Sequence, residues 1–285
     1  MGGDVMAQGS FGRAGSPYRT GRTGKIVTVE YGLLVLQHTP NALDGPTRAT
    51  LRRSVRLFRA FLVEQSNPDR FYRTLAADSV AQVSRFASLD GALVLDVGGG
   101  PGFFRDAFSV AGAVYVSVDS DLGELAARGA PVPGSALGSG MALPVKDGVV
   151  DLCYSSNVLE HVPRPWHMAE ELLRVTRPGG IVFCSFTIWL SPWGGHETAP
   201  WHYLGGDRAA RRYERRTGRP PKNRYGTSLF AVSVADALRW ARRTRRGALM
   251  AAFPRYHPWW AHGVVRVPVM RELMTWNLVM VLRRR

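Results

Sequence analysis

Val94-Leu-Asp-Val-Gly-Gly-Gly-Pro-Gly-Phe-Phe104 couples a short apolar run to four glycines within five residues. The run begins at Ala92, is rich in Leu and Val, and ends on glycine, the pattern of a parallel strand that is buried on both faces and enters a tight turn. Glycines in such a turn let the backbone approach a ligand without side-chain interference, and Asp96 sets an acid near the strand end. Phe103 stands where a dinucleotide-binding G-x-G-x-x-G would carry its third glycine, which argues against a nicotinamide-dependent oxidoreductase.

Around that turn, strand-like and helix-like runs alternate. A helix over 102–110 is expected next, then a strand over 114–118, a helix over 122–128, a strand over 149–154, a helix over 166–175 and a strand over 181–186. This alternation predicts an α/β fold with a parallel sheet covered on both faces. Upstream, Leu51, Val55, Leu57, Phe58 and Leu62 recur at roughly helical spacing among arginines, a second such run spans 71–86, and Asn67-Pro68 separates the two helices. Downstream, residues 187–229 form a long insertion rich in Gly, Pro, Trp, His and Arg, of a length that is usually functional or disordered. A helix over 234–242, a strand over 248–253, an aromatic segment over 256–262 and a strand over 277–282 complete the sheet.

With 285 residues, 45% of them hydrophobic, the chain can form one sizeable domain, expected over 47–285. Residues 1–46, rich in Gly, Ser, Thr and Arg, read as a disordered lead-in, with a misassigned start codon as the plain alternative. The two cysteines, Cys153 and Cys184, each lie in an apolar strand-like run, so buried reduced thiols in a cytosolic protein are expected rather than a disulfide framework or a cysteine zinc site. Arg266, Arg271 and Glu272 interrupt the most hydrophobic C-terminal stretch, so no membrane span is expected. The formal charge of +15 suits a nucleic acid, an anionic membrane surface or an acidic substrate, and does not choose among them.

Val116-Ser-Val-Asp-Ser120 places a second acid at the end of the next strand, about twenty residues after the first, where it can accept hydrogen bonds from two ribose hydroxyls. With Gly140-Met-Ala-Leu-Pro144, Asp151-Leu-Cys-Tyr-Ser-Ser-Asn157 and Arg177-Pro-Gly-Gly180 following in order, residues 93–186 resemble the class I S-adenosylmethionine-dependent methyltransferases, in the subgroup of quinone and small-molecule methylases. Including Ser191-Pro-Trp-Gly-Gly-His-Glu197 and Phe253-Pro-Arg-Tyr-His257, the whole chain is also similar to a group of mycobacterial and other actinobacterial methyltransferases. The resemblance implies a Rossmann-like, doubly wound, seven-stranded, mostly parallel sheet with N-terminal helices and an insertion after the fifth strand. It implies S-adenosylmethionine as donor, held by Asp96, Gly98, Gly99, Gly100, Gly102, Asp119, Ser120, Ser139, Gly140, Met141 and Asn157. One departure is Ser139, where the subgroup carries Asp, so that contact is expected to be weaker or to use backbone.

Methyl transfer is an in-line displacement, and a hydroxyl acceptor must also lose a proton. His161, in Asn157-Val-Leu-Glu-His161, is the candidate general base; a histidine hydrogen-bonded to backbone is the alternative. The Glu160-His161 pair resembles a metal-binding Glu-x-x-Glu-His motif of some O-methyltransferases, but Asn157 replaces the first acid. A divalent metal is therefore not expected; if one binds, Glu160, His161, His196 and His202 are its ligands. In the insertion, Trp193, His196, Glu197 and His202 are the candidate acceptor-binding residues of a lid, against a rigid surface loop as the alternative.

Arginines at 208, 211, 212, 215, 216, 219 and 224, with Lys222, and again at 242, 243, 245 and 246, read as solvated faces. Trp259, Trp260 and Trp276 are taken as core residues. The rival reading makes them, with Val264, Val265, Val267 and Val269, an interfacial anchor that would reach a lipid-linked acceptor at the inner membrane leaflet. The expected partner is thus a small-molecule, glycan or lipid-linked acceptor. A nucleic acid is disfavoured because Ser155-Ser-Asn157 is not the Asn/Asp-Pro-Pro-aromatic box that holds a flipped base. A non-catalytic donor-binding or membrane-surface protein is the alternative from another class.

Overall fold

The computed structural model describes residues 49–64 and 66–285; the expectation for residues 1–46 lies outside them. Seven strands form one sheet: β1 (Leu93–Val97), β2 (Val114–Asp119), β3 (Ser135–Leu137), β4 (Val150–Ser156), β5 (Thr176–Thr187), β6 (Gly247–Pro254) and β7 (Asn277–Arg284). Their order is β3-β2-β1-β4-β5-β7-β6. β1 to β5 pair in parallel, while β7 runs antiparallel between β5 and β6. This is the doubly wound Rossmann-like arrangement expected. The sequence reading did not name β3, three residues at the sheet edge with no apolar run to mark them.

The helices are α1 (Leu51–Phe61), α2 (Pro68–Val83), α3 (Arg105–Val110), α4 (Leu122–Leu125), α5 (Pro165–Val175), α6 (Gly206–Thr217), α7 (Val234–Arg243) and α8 (Met270–Met274). Asn67-Pro68 does not merely separate α1 from α2: it starts α2. The Asn67 side chain accepts the Arg70 N–H and Pro68 occupies the first turn, where its missing N–H costs nothing. Arg53 ties the two helices by donating to both carboxylate oxygens of Asp78, at 2.6 Å each.

Alternate residues of each inner strand feed two separate cores. Val94, Leu152, Tyr154, Ile181 and Phe183 pack with Leu57, Phe71, Leu75 and Phe108 from α1, α2 and α3. Leu95, Val97, Cys153, Val182 and Cys184 pack with Leu172, Leu173, Ala237 and Leu238 from α5 and α7. Burial on both faces is why these strands read as unbroken apolar runs. Cys153 and Cys184 are free and buried, and burial pushes both thiols up to about 12.

One element of the reading is corrected. Trp259 and Trp260 are 53% and 65% exposed and not in the core, because a 3-10 stretch over Trp259–Arg266 carries them outward; only Trp276 packs inward, against Phe58. No described helix is long and apolar enough to cross a membrane.

Candidate functional site

The chain leaves β1 for β2 and β3 on one side and then crosses to β4 on the other. The sheet therefore has its switch point between the carboxyl ends of β1 and β4, where open α/β sheets bind ligands. The glycine turn sits there. Gly98 donates its N–H to Val118 O at 2.8 Å and has φ +80°, and a Cβ on it would collide with Val158. Gly100, at φ +49°, donates to Asp119 Oδ2 at 2.9 Å and would meet nothing within 4 Å on its Cβ side. The loop is thus closely packed below Gly98 and open above Gly100, and Gly99 and Gly102 complete it.

Asp119 ends β2 with Oδ1 accepting the Asp121 N–H at 3.0 Å, and Ser120 beside it is exposed. Asp96 lies underneath: it is 1% exposed, and its Oδ2 accepts the Tyr115 hydroxyl at 2.5 Å. The Ser139-Gly140-Met141 segment follows β3. Ser139 Oγ accepts the Met141 N–H at 3.2 Å, and Gly140 backs onto Met168. Glu171 and Arg174 of α5 clamp this segment, Glu171 Oε2 accepting the Leu143 N–H and Arg174 donating to Leu143 O and Val145 O. A set of contacts to Phe103, the residue after the last glycine of the turn, went unforeseen. The Phe103 ring stacks on Tyr72 of α2 at 4.3 Å, the Arg128 guanidinium lies 5.0 Å from Phe103 on its other contact, and Tyr72 OH donates to Glu64 Oε1 at 3.2 Å. Burial raises the Glu64 carboxyl above its ordinary range. No local signal in the sequence links Glu64 and Tyr72 to the turn.

Beyond β4, Asn157 takes a left-handed φ of +59°, its N–H reaches Ser185 O at 2.8 Å, and its Oδ1 accepts from Asn277 Nδ2 at 2.7 Å. The 3-10 turn Leu159–His161 follows. Glu160 Oε1 accepts the Thr187 N–H at 2.9 Å, while the buried Oε2 has no hydrogen-bond partner. His161 Nδ1 lies 2.7 Å from Ser228 O. A carbonyl only accepts, so Nδ1 is the donor, and in the neutral imidazole the lone pair is on Nε2.

The insertion brings His196 to this turn. Its ring is 5.1 Å from that of His161, its backbone has φ +49°, and its buried Nε2 has no partner. One ligand atom each from Glu160, His161 and His196 lie within 4.8 Å of one another. Burial holds the His196 imidazole below its ordinary range, Glu160 pulling the other way. Trp193 packs edge-on to Phe61 at 5.1 Å and to Trp276 at 6.3 Å.

The other two residues expected with them point elsewhere. Both Glu197 carboxylate oxygens accept from Asn223, at 2.8 and 2.9 Å; burial alone would raise this carboxyl, and those hydrogen bonds hold it below its ordinary range. His202 Nε2 faces Ser191 O at 3.1 Å, and its ring fills the space a Gly195 side chain would need. Arg255 was not singled out as a site residue, yet it is 0% exposed and donates to Ser156, Ser185, Ser79 and Tyr154, joining β4, β5 and α2 beneath the site. A cavity of about 940 Å³ between α1 and α2, lined by Arg53, Arg56, Arg59 and Arg70, includes none of these site residues.

The family described as "Methyltransferase domain" matches residues 95–184, from β1 to β5. An uncharacterized methyltransferase of Mycolicibacterium gilvum is 58% identical over 247 residues, 83% of this chain and 96% of that protein. Another, of Mycobacteroides abscessus, is 55% identical over 251 residues, 84% of this chain and 96% of its own. Among solved structures, an S-adenosylmethionine dependent methyltransferase from Mesorhizobium loti aligns with a TM-score of 0.49 and 19% identity, covering 73% of this chain and 98% of that one.

Proposed function

The chain belongs to a methyltransferase family, and from that membership we propose that it takes S-adenosylmethionine as donor and methylates an oxygen of a small-molecule, glycan or lipid-linked acceptor. The observation that carries this is the convergence of His196, from the insertion, on Glu160 and His161, which follow shortly after Val158, the residue that packs against Gly98. The stretch 158–161 thus links the glycine turn to two of the three titratable groups.

The open space above Gly100 fits a donor laid on backbone. Gly98, Gly99, Gly100 and Gly102 would hold its amino-acid end, Asp119 and Ser120 the ribose, Ser139, Gly140 and Met141 the adenine, and Asn157 the edge toward the acceptor. Asp96 would support the turn from beneath. When bound, S-adenosylmethionine supplies a methyl group on a sulfonium, open to displacement by an oxygen lone pair. An O–C bond forms as the S–C bond breaks, and the hydroxyl proton has to leave. His161, whose Nδ1 is fixed on Ser228 O, presents Nε2 to deal with that proton. Trp193 and His196, brought by the insertion, would wall the acceptor. A lipid-linked acceptor is favoured by the exposed Trp259, Trp260, Val269 and Met270, which with the exposed Arg266 suit an anionic bilayer surface.

Calorimetry tests the donor half: micromolar binding of S-adenosylmethionine and S-adenosylhomocysteine with no NAD signal is expected. Asp119→Ala should abolish that binding without unfolding the chain, whereas His161→Ala should spare it and slow turnover. Normal donor binding by Asp119→Ala would sink the site assignment.

A further inference from the structure

The geometry points to Glu160, His161 and His196 as the site of one divalent transition-metal cation, on which an acceptor hydroxyl coordinates as a further ligand. It rests on the acceptor placement proposed above and changes its means, with a cation on His161 Nε2 acidifying the hydroxyl that a lone imidazole would deprotonate.

The three donors already lie within 4.8 Å of one another without a cation. Two of their atoms are stranded. Glu160 is 1% exposed, Thr187 satisfies only its Oε1, and Oε2 is buried without a partner; His196 Nε2 is buried and unpartnered as well. Buried polar atoms are normally hydrogen-bonded, and buried charges are paired or bound to metal.

The third donor is oriented from behind. Ser228 O takes the Nδ1 proton of His161, which fixes the tautomer and turns Nε2 outward, as the outer partner of a metal-bound histidine does. Two imidazoles and one carboxylate form a donor set suited to Zn, Mn, Fe or Co, and they leave coordination positions free for a substrate oxygen. Asn157 and His202 stay outside the set, Asn157 Oδ1 being engaged by Asn277 and His202 Nε2 facing Ser191 O. A coordinated hydroxyl loses its proton to water more readily, because the cation stabilises the alkoxide. The acceptor class that follows is a hydroxyl compound able to ligate a metal.

The test uses the whole chain, freed of metal by a chelator and titrated with Co²⁺, whose visible bands report the ligands, with S-adenosylhomocysteine binding measured on the same samples. One cation per chain is expected. Its affinity should fall about tenfold or more in Glu160→Gln and in His196→Asn. It should stay unchanged in His167→Asn, an exposed histidine of α5. If one of the two site variants fails to fold, seen as lost S-adenosylhomocysteine binding, the other decides. Absence of Co²⁺ binding, or equal binding in folded site variants, overturns the metal site and leaves the donor reading intact. Failure of the parent chain to bind S-adenosylhomocysteine strikes the donor reading instead; circular dichroism then reports whether the variants fold, and the Co²⁺ result still judges the metal site.

Discussion

Asp96 sits buried below the glycine turn, where burial pushes its carboxyl up to about 7; the Tyr115 hydroxyl pulls it down and Asp119 pushes it further up. Tyr154 also lies within its electrostatic reach. An unfolded Asp titrates near 3.9, so between about 4 and 7 the folded chain holds a proton that the unfolded chain has lost. Stability from this group is complete below about pH 4 and is lost as pH rises through about 7. Asp96→Asn, which keeps an acceptor for Tyr115, should therefore flatten the fall in Tm over that window, as read by thermal denaturation at stepped pH. An equal fall in the variant would mean that Asp96 is not the group responsible. The identity of Asp96 and its place at a strand end are written locally; its burial under Tyr115 depends on the pairing of β1 with β2.

Among the elements, the insertion after β5 was legible only as an interruption. The structure shows it built from 3-10 turns over His196–Thr198 and Trp201–Leu204 and from α6, whose arginines face solvent as expected while Ala209 and Ala210 face inward. Its aromatic and histidine-rich start and its arginine-rich middle hide the helical period, because only two small residues mark the inner face. Glu197 closes it by accepting from the backbone N–H and the side-chain Nδ2 of Asn223. Glu197→Ala should release the segment around Asn223, seen as faster amide exchange there with donor binding unchanged. Unaltered exchange at Asn223 would show that other contacts hold the segment.

At the scale of the whole molecule, the charge of +15 and the outward tryptophans meet a question of partner. Vesicles of anionic phospholipid should sediment the chain while zwitterionic ones do not, and Trp259→Ser with Trp260→Ser should weaken that binding without touching S-adenosylhomocysteine affinity. Equal sedimentation by the double variant would remove the tryptophans from the surface contact. The succession of β1, β2, β4 and β5, the glycine turn and Asp119 could be read in advance, because each depends on residues adjacent in the chain and on one hydrophobic period, which the three-residue β3 lacks. Trp259 and Trp260 were expected in the core and lie at the surface, since composition alone does not separate a core aromatic from an exposed one. By itself the sequence determined a doubly wound sheet with a glycine turn at its switch point, where strand, glycines and acid are contiguous. Only the tertiary structure decided that His196 of the insertion meets Glu160 and His161, that Tyr72, held by Glu64, stacks on Phe103, and that Arg255 is buried among Ser79, Tyr154, Ser156 and Ser185. Those meetings are made by strand pairing and packing between distant segments, which no local pattern encodes.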